Sequence, residues 1–69
     1  MLIVVEKKEF YEALAKFTNK QREERGTGHI KDTHFKDENG ITRACIHTKF
    51  KKKTYSIDKV HFNEKSNAN

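Results

Sequence analysis

Apolar residues recur along this chain with two spacings, one typical of strands and one typical of helices. The run at residues 2–5, Leu-Ile-Val-Val, is rich in β-branched residues and predicts a buried strand. Phe10, Ala13, Leu14 and Phe17 then stand at i, i+3, i+4 and i+7. That spacing places all four on one face of a helix, which we expect to pack on a sheet.

The segment after Phe17 is polar, and its charge pattern predicts that the helix continues. Lys20 and Glu24 have the i, i+4 spacing of a favourable helical ion pair. Gly26 follows Arg25 at the position expected of a C-cap glycine, so we predict a helix that ends near residue 25. This second half is either solvated or laid against a charged partner.

Asn39-Gly40 is the strongest turn motif, since this dipeptide suits the type I′ turn of a two-residue hairpin loop. It predicts antiparallel strands over about 29–38 and 41–50. A four-residue loop would shift the pairs but keep the faces. With the two-residue loop the predicted pairs are Glu38 with Ile41, Phe35 with Ala44, His34 with Cys45, Thr33 with Ile46, and Asp32 with His47.

The alternation of side chains gives this hairpin an apolar face, which we expect the helix stripe to cover. A further strand is predicted over about 54–62, with a bulge or kink near Asp58-Lys59 because the apolar parity changes there. The expected core residues of the hairpin are Thr33, Phe35, Ala44, Ile46 and Phe50.

The predicted architecture is an α+β domain with the order β-α-β-β-β. One N-terminal helix packs on a small, mostly antiparallel sheet of three to four strands, within a single domain over 1–62, and 63–69 form a disordered tail. One helix covers only one face of a sheet, whereas the first strand is apolar on both. Either a homodimer or another partner covers the open face, or the chain wraps tightly on itself.

Charge changes this picture, because the net charge of +5 is gathered in one stretch. Residues 1–40 and 58–69 are nearly balanced, while 41–57 contain five cations and no acid. Lysines on a hairpin loop suit contact with phosphate, and a nearby aromatic can stack on an unpaired base. The alternative is that these lysines keep an edge strand soluble. The predicted nucleic-acid-binding residues are Arg43, Lys49, Lys51, Lys52, Lys53 and Tyr55.

The hairpin face opposite the core carries Asp32, His34, Cys45 and His47 in the predicted register. These side chains have the chemistry of a divalent metal site, or of two histidines acting as acid and base on RNA. They lack the spacing of a known zinc motif, so the default interpretation is an inert polar face. Cys45 lies among cations, which would favour a reactive thiolate, although a passive cysteine is the default.

Size and composition narrow the classes of function. With 69 residues the chain is too small to enclose a sizeable pocket, so we expect neither an enzyme nor a bound cofactor. One cysteine and no signal-like or membrane-spanning segment indicate a cytoplasmic protein without membrane contact.

The charge makes a nucleic-acid-binding accessory protein of low sequence specificity the first hypothesis. Its ligand would be DNA or RNA, and its size is typical of phage- or plasmid-encoded regulators. The second hypothesis is an inhibitor or modulator that binds a host protein. The third is a histidine-dependent ribonuclease or a metal-binding hairpin.

Overall fold

The structure, a computed structural model, describes residues 1–18 and 21–62. Its elements are β1 (Leu2–Val5), α1 (Lys7–Ala15), β2 (Gln21–Thr27), β3 (Ile30–Lys36), β4 (Thr42–Lys49) and β5 (Lys52–Asp58), followed by a helical turn over 59–62. All strand pairs are antiparallel, in the order β1-β5-β4-β3-β2. The α+β class with one N-terminal helix is therefore confirmed, but the sheet has five strands rather than three or four.

The additional strand comes from the segment predicted to be the second half of the helix. Helix α1 ends at Ala15, and Gln21–Thr27 pairs with β3 along its whole length. Ion pairs at i, i+4 contribute only tenths of a kcal/mol, about 0.2–0.5 each, and the segment has no apolar helical face to bury. As a strand it bonds its backbone to β3 instead. Gly26 is thus not a helix cap but a strand residue with a φ of 104°.

The predicted core stripe is confirmed as buried, although Phe17 lies two residues beyond the end of α1. Phe10, Leu14 and Phe17 are buried, and Ala13 packs against them. They meet Phe35, Ala44, Ile57 and Phe62, and the ring of Phe10 lies 6.0 Å from that of Phe35. The prediction that Phe50 belongs to this core is wrong, because 60% of that residue is exposed.

The central hairpin has the predicted register but a different turn. Only Gly40 of the Asn39-Gly40 pair has a positive φ, whereas a type I′ turn needs both. The loop has three residues, closed by the amide of Asp37 donating to the carbonyl of Ile41 at 2.9 Å, so the predicted pairing of Glu38 with Ile41 is wrong.

The four other predicted pairs of this hairpin are confirmed, because a β-bulge compensates for the longer loop. Phe35 pairs with Ala44 while Lys36 pairs with Thr42, which leaves Arg43 without an opposite residue. This bulge restores the register that a two-residue loop would give.

Two further predictions for the strands at the β1 side of the sheet need correction. The last strand ends at Asp58 rather than near residue 62, and the change of parity marks the start of the 59–62 turn, which brings Phe62 into the core. Strand β1 is an edge strand rather than a buried one, with Leu2, Ile3 and Val4 exposed. The predicted tail, 63–69, lies outside the described residues.

The helix covers only part of the elongated sheet. The molecule measures 42 × 24 × 19 Å. A nine-residue helix is about 14 Å long, whereas an eight-residue strand such as β4 spans about 26 Å. Every residue from 24 to 31 and from 49 to 54 is exposed. No helix of the described residues is long and apolar enough to cross a membrane.

Candidate nucleic-acid interface

Two neighbouring hairpin turns form the uncovered end of the sheet. The β2–β3 turn is Gly28-His29 and the β4–β5 turn is Phe50-Lys51, and the pairing of Ile30 with Lys49 places them side by side. In each turn only the first central residue has a positive φ, 66° at Gly28 and 58° at Phe50. This is the pattern of a type II′ turn, in which glycine is preferred at that position.

The two turns contact each other through an aromatic pair. The rings of Phe50 and His29 are stacked, with centroids 5.3 Å apart and planes inclined by 21°. The amide of Phe50 also donates a hydrogen bond of 2.6 Å to the carbonyl of His29. An open groove of about 600 Å³ surrounds this pair, lined by His29, Lys49, Phe50, Lys51 and Lys52. The structure therefore places an accessible aromatic surface among lysines.

The basic tip, defined as residues 49–53, contains four of the six predicted nucleic-acid-binding residues. Lys49, Lys51, Lys52 and Lys53 are all exposed. Lys49 pairs directly with Lys52 across the two strands, an arrangement of like charges that destabilises a sheet. Within residues 1–18 and 21–62, no carboxylate forms a salt bridge with any of these lysines.

A further lysine, Lys31, lies beside the basic tip on the face of the sheet that carries the helix. Lys31 and Lys53 both pair with Thr48, one from each neighbouring strand. All three line a second open groove, of about 710 Å³, which extends to Tyr11 on the helix. Sequence reasoning missed Lys31, although the predicted hairpin register already placed it opposite Thr48.

Tyr55 and Arg43, the other two predicted binding residues, lie outside the basic tip. Tyr55 is half-buried, and its ring packs against Phe10 at 5.1 Å and Tyr11 at 5.8 Å. Arg43 stands six residues from Lys49 on β4, or roughly 20 Å along the strand.

The β-bulge directs Arg43 toward two buried carboxylates. Its Nε donates to Asp37 at 2.9 Å and its terminal nitrogen donates to Asp58 at 2.7 Å, so this charge is already neutralised within the fold. The backbone amide of Ile41, together with the guanidinium, lowers the pKa of Asp37. Burial opposes ionisation of Asp58, but hydrogen bonds from Arg43 and the amide of His61 prevail and lower its pKa. This cluster lies at the end of the sheet away from the basic tip, and its carboxylates form no salt bridge with the tip lysines.

The opposite sheet face holds the four predicted metal candidates, Asp32, His34, Cys45 and His47, and they do not converge on one point. The Nδ1 of His47 is hydrogen-bonded to a carboxylate oxygen of Asp32, while the Nδ1 of His34 lies 3.4 Å from the hydroxyl of Thr42. Over the described part of the chain, no group of three or more His, Cys, Asp or Glu side chains is arranged to hold a metal ion. Burial, and secondarily Asp32, raises the pKa of the Cys45 thiol, which contradicts the expectation that neighbouring cations would favour its thiolate.

Comparison of the chain with protein-family models, with curated proteins and with solved structures found no match.

Proposed function

We propose that this protein is a small nucleic-acid-binding accessory protein of low sequence specificity, which binds its ligand without cleaving it. The observation that supports the proposal is the basic tip, where four exposed lysines have no carboxylate partner in the described structure. Several acidic side chains form ion pairs elsewhere: Glu9 with Lys59, Glu23 with Lys36 and Arg25, and Asp37 and Asp58 with Arg43.

Lysine contacts explain why the specificity should be low. An ammonium group neutralises phosphate but carries no information about the base, so these contacts position a nucleic-acid backbone without selecting a sequence. Phosphate binding also relieves the repulsion between Lys49 and Lys52, which face each other across the turn. The same residues therefore cost stability in the free protein and favour an anionic ligand.

A fluorescence-anisotropy titration at several salt concentrations tests this proposal. Four phosphate contacts would give a slope of log affinity against log salt of roughly −3 to −4, depending on the strandedness of the ligand. The double variant Lys51→Gln/Lys52→Gln should weaken binding to all sequences alike and reduce the magnitude of the slope by about 2. The matched control is Lys7→Gln/Lys8→Gln, which removes two exposed charges from the helix start.

Two results would contradict the binding part of the proposal. One is the absence of binding to DNA and RNA at low salt. The other is an equal loss of affinity in the control variant, which would mean that net charge alone, rather than the tip, attracts the ligand. RNA recovered as fragments after incubation with pure protein would contradict the non-cleaving part, and His34→Ala and His47→Ala would show whether those histidines are responsible.

The alternative function, binding and modulation of another protein, is favoured by one feature. Edge strand β1 exposes Leu2, Ile3 and Val4, and its outer backbone groups have no neighbouring strand in the described sheet. Such an edge can pair with a strand of another chain. A partner that stays bound after nuclease treatment and is lost in Val4→Lys would favour this alternative over nucleic-acid binding.

A further inference from the structure

We propose that Phe50 and His29 form a stacking platform for an unpaired base, so that the ligand class of the basic tip is single-stranded nucleic acid. This inference rests on the nucleic-acid binding proposed above and specifies it. It assigns Phe50, which the hydrophobic pattern alone places in the core, to a binding surface.

The backbone at Phe50 is the first argument. Gly28 and Phe50 occupy the same position in two adjacent hairpin turns, and both have a positive φ. Glycine adopts this conformation without strain, whereas a bulky residue there is an outlier. The β2–β3 turn has the residue that suits the backbone, and the β4–β5 turn has an aromatic side chain instead. Strained positions of this kind concentrate at ligand-binding sites.

The environment of the ring is the second argument. Phe50 is 60% exposed, and His29 is the only aromatic ring stacked on it in the described structure. Counted back from Phe50, the first residue of β4 that packs against the apolar core is Ile46, four residues away, so the Phe50 ring is not part of that core. A flat aromatic surface held in place by a neighbouring ring is suited to stacking against a base, since every base has a π face.

The surrounding charges are the third argument, because lysines precede and follow Phe50 in the chain. Lys49, Lys51 and Lys52 line the same groove as the two rings. A strand whose base rests on Phe50 would place its flanking phosphates next to these ammonium groups. In a duplex the bases are paired and stacked on one another, so only the phosphates would be available to the tip.

The inference is tested with fluorescein-labelled oligothymidylate and oligouridylate of about 15 nucleotides, and with a blunt duplex of the same length. The variant Phe50→Leu keeps an apolar side chain but removes the π system, while Phe50→Tyr retains it. We expect Phe50→Leu to weaken binding of the single strands about 5-fold to 100-fold and to change duplex binding less than about 2-fold. Phe50→Tyr should bind the single strands like the unsubstituted protein.

The controls separate failure of this inference from failure of the proposed function. If the unsubstituted protein binds both ligands and Phe50→Leu leaves them unchanged, or weakens both equally, the platform is refuted and the lysine-based function stands. If the unsubstituted protein binds neither ligand, the function and the platform fall together. Should Phe50→Leu unfold, Phe50→Gly gives the answer, since glycine suits this backbone and also lacks a ring.

Discussion

Gly26 gives the sharpest test of the fold, because the structure separates two reasons why this residue should resist substitution. Its φ of 104° is strained for any residue with a side chain. In addition, a Cβ at this position would lie 2.6 Å from the carbonyl oxygen of Ile30 and 2.9 Å from the Cα of Lys31. Both atoms belong to the β3 backbone, so the strands would have to move apart.

The magnitude follows from these two contributions. A positive φ costs a non-glycine residue about 1–2 kcal/mol, and alanine regains about 0.4–1 kcal/mol by restricting the unfolded chain. Overpacking against backbone adds about 1–3 kcal/mol. These contributions sum to about 1–5 kcal/mol, so we expect Gly26→Ala to lower the free energy of unfolding by about 3 kcal/mol, and the melting temperature by roughly 12–24 °C.

The matched control is Gly28→Ala in the same hairpin. Gly28 also has a positive φ, 66°, but a Cβ added there would meet no atom of a non-adjacent residue within 4 Å. The Gly28→Ala variant should lose about 1 kcal/mol or less of its free energy of unfolding, since only the backbone strain remains. Urea unfolding followed by far-UV circular dichroism measures both variants. Equal losses for the two would refute the close approach of β2 to β3.

Four further outcomes follow from the same structure. Phe50→Gly should leave the free energy of unfolding within about 1 kcal/mol, because relief of the positive φ offsets the lost stacking, whereas Phe10→Ala should cost about 3–5 kcal/mol in the same urea assay. Lys52→Glu should raise the melting temperature and weaken oligonucleotide binding, since it replaces a repulsive pair with an attractive one; a lower melting temperature would contradict this. Folding lowers the pKa of Asp58, so its ionised carboxylate stabilises the protein above the unfolded pKa, and this stabilisation should be lost as pH falls below about 4. Denaturant titrations over this pH range should show a smaller loss of unfolding free energy in Arg43→Met than in the unsubstituted protein. Cys45 should react with iodoacetamide more slowly in the folded protein than in urea, because burial raises its pKa; equal rates would argue against that burial.

Sequence patterns predicted the parts of the fold that depend on apolar periodicity. The stripe of Phe10, Leu14 and Phe17 could be identified because its spacing fits one helix face. The register of the central hairpin from Asp32 to Phe35 was also predicted. The structure reaches it with a loop one residue longer than expected and a bulge at Arg43, and these two deviations compensate for each other. Loop length and bulges depend on local φ values and on the partners of polar side chains, which periodicity does not report.

Strand β2 could not be predicted in the same way, because it has no apolar pattern of either period. Its charged residues form ion pairs at i, i+2, Arg22 with Glu24 and Arg25 with Glu23, and each pair lies on one face of a strand. The i, i+4 spacing of Lys20 and Glu24 fits a helix equally well. What decides between them is the availability of β3 as a pairing partner, which is a tertiary property.

The candidate site was predictable in its charge but not in its aromatic component. The run of lysines at 49–53 can be read from the sequence, and all four of these charged side chains are exposed, as is usual for lysine. The parity of Phe50 matches that of Ala44 and Ile46 and predicts a core position, but α1 is too short to cover that end of the sheet. The ion pairs of Arg43 could not be predicted, because its two partners, Asp37 and Asp58, are distant from each other in sequence.

The half-covered sheet has a consequence for how this protein tolerates change. Its buried apolar side chains lie at the end occupied by the helix, while residues 24–31 and 49–54 are exposed throughout. Side chains of the two distal turns can therefore be exchanged with little penalty for folding, provided that the backbone at Gly26 is kept. Ligand preference can accordingly be varied at these turns without disturbing the apolar core, except at the facing pair of Lys49 and Lys52, where a change that weakens the ligand also relieves charge repulsion.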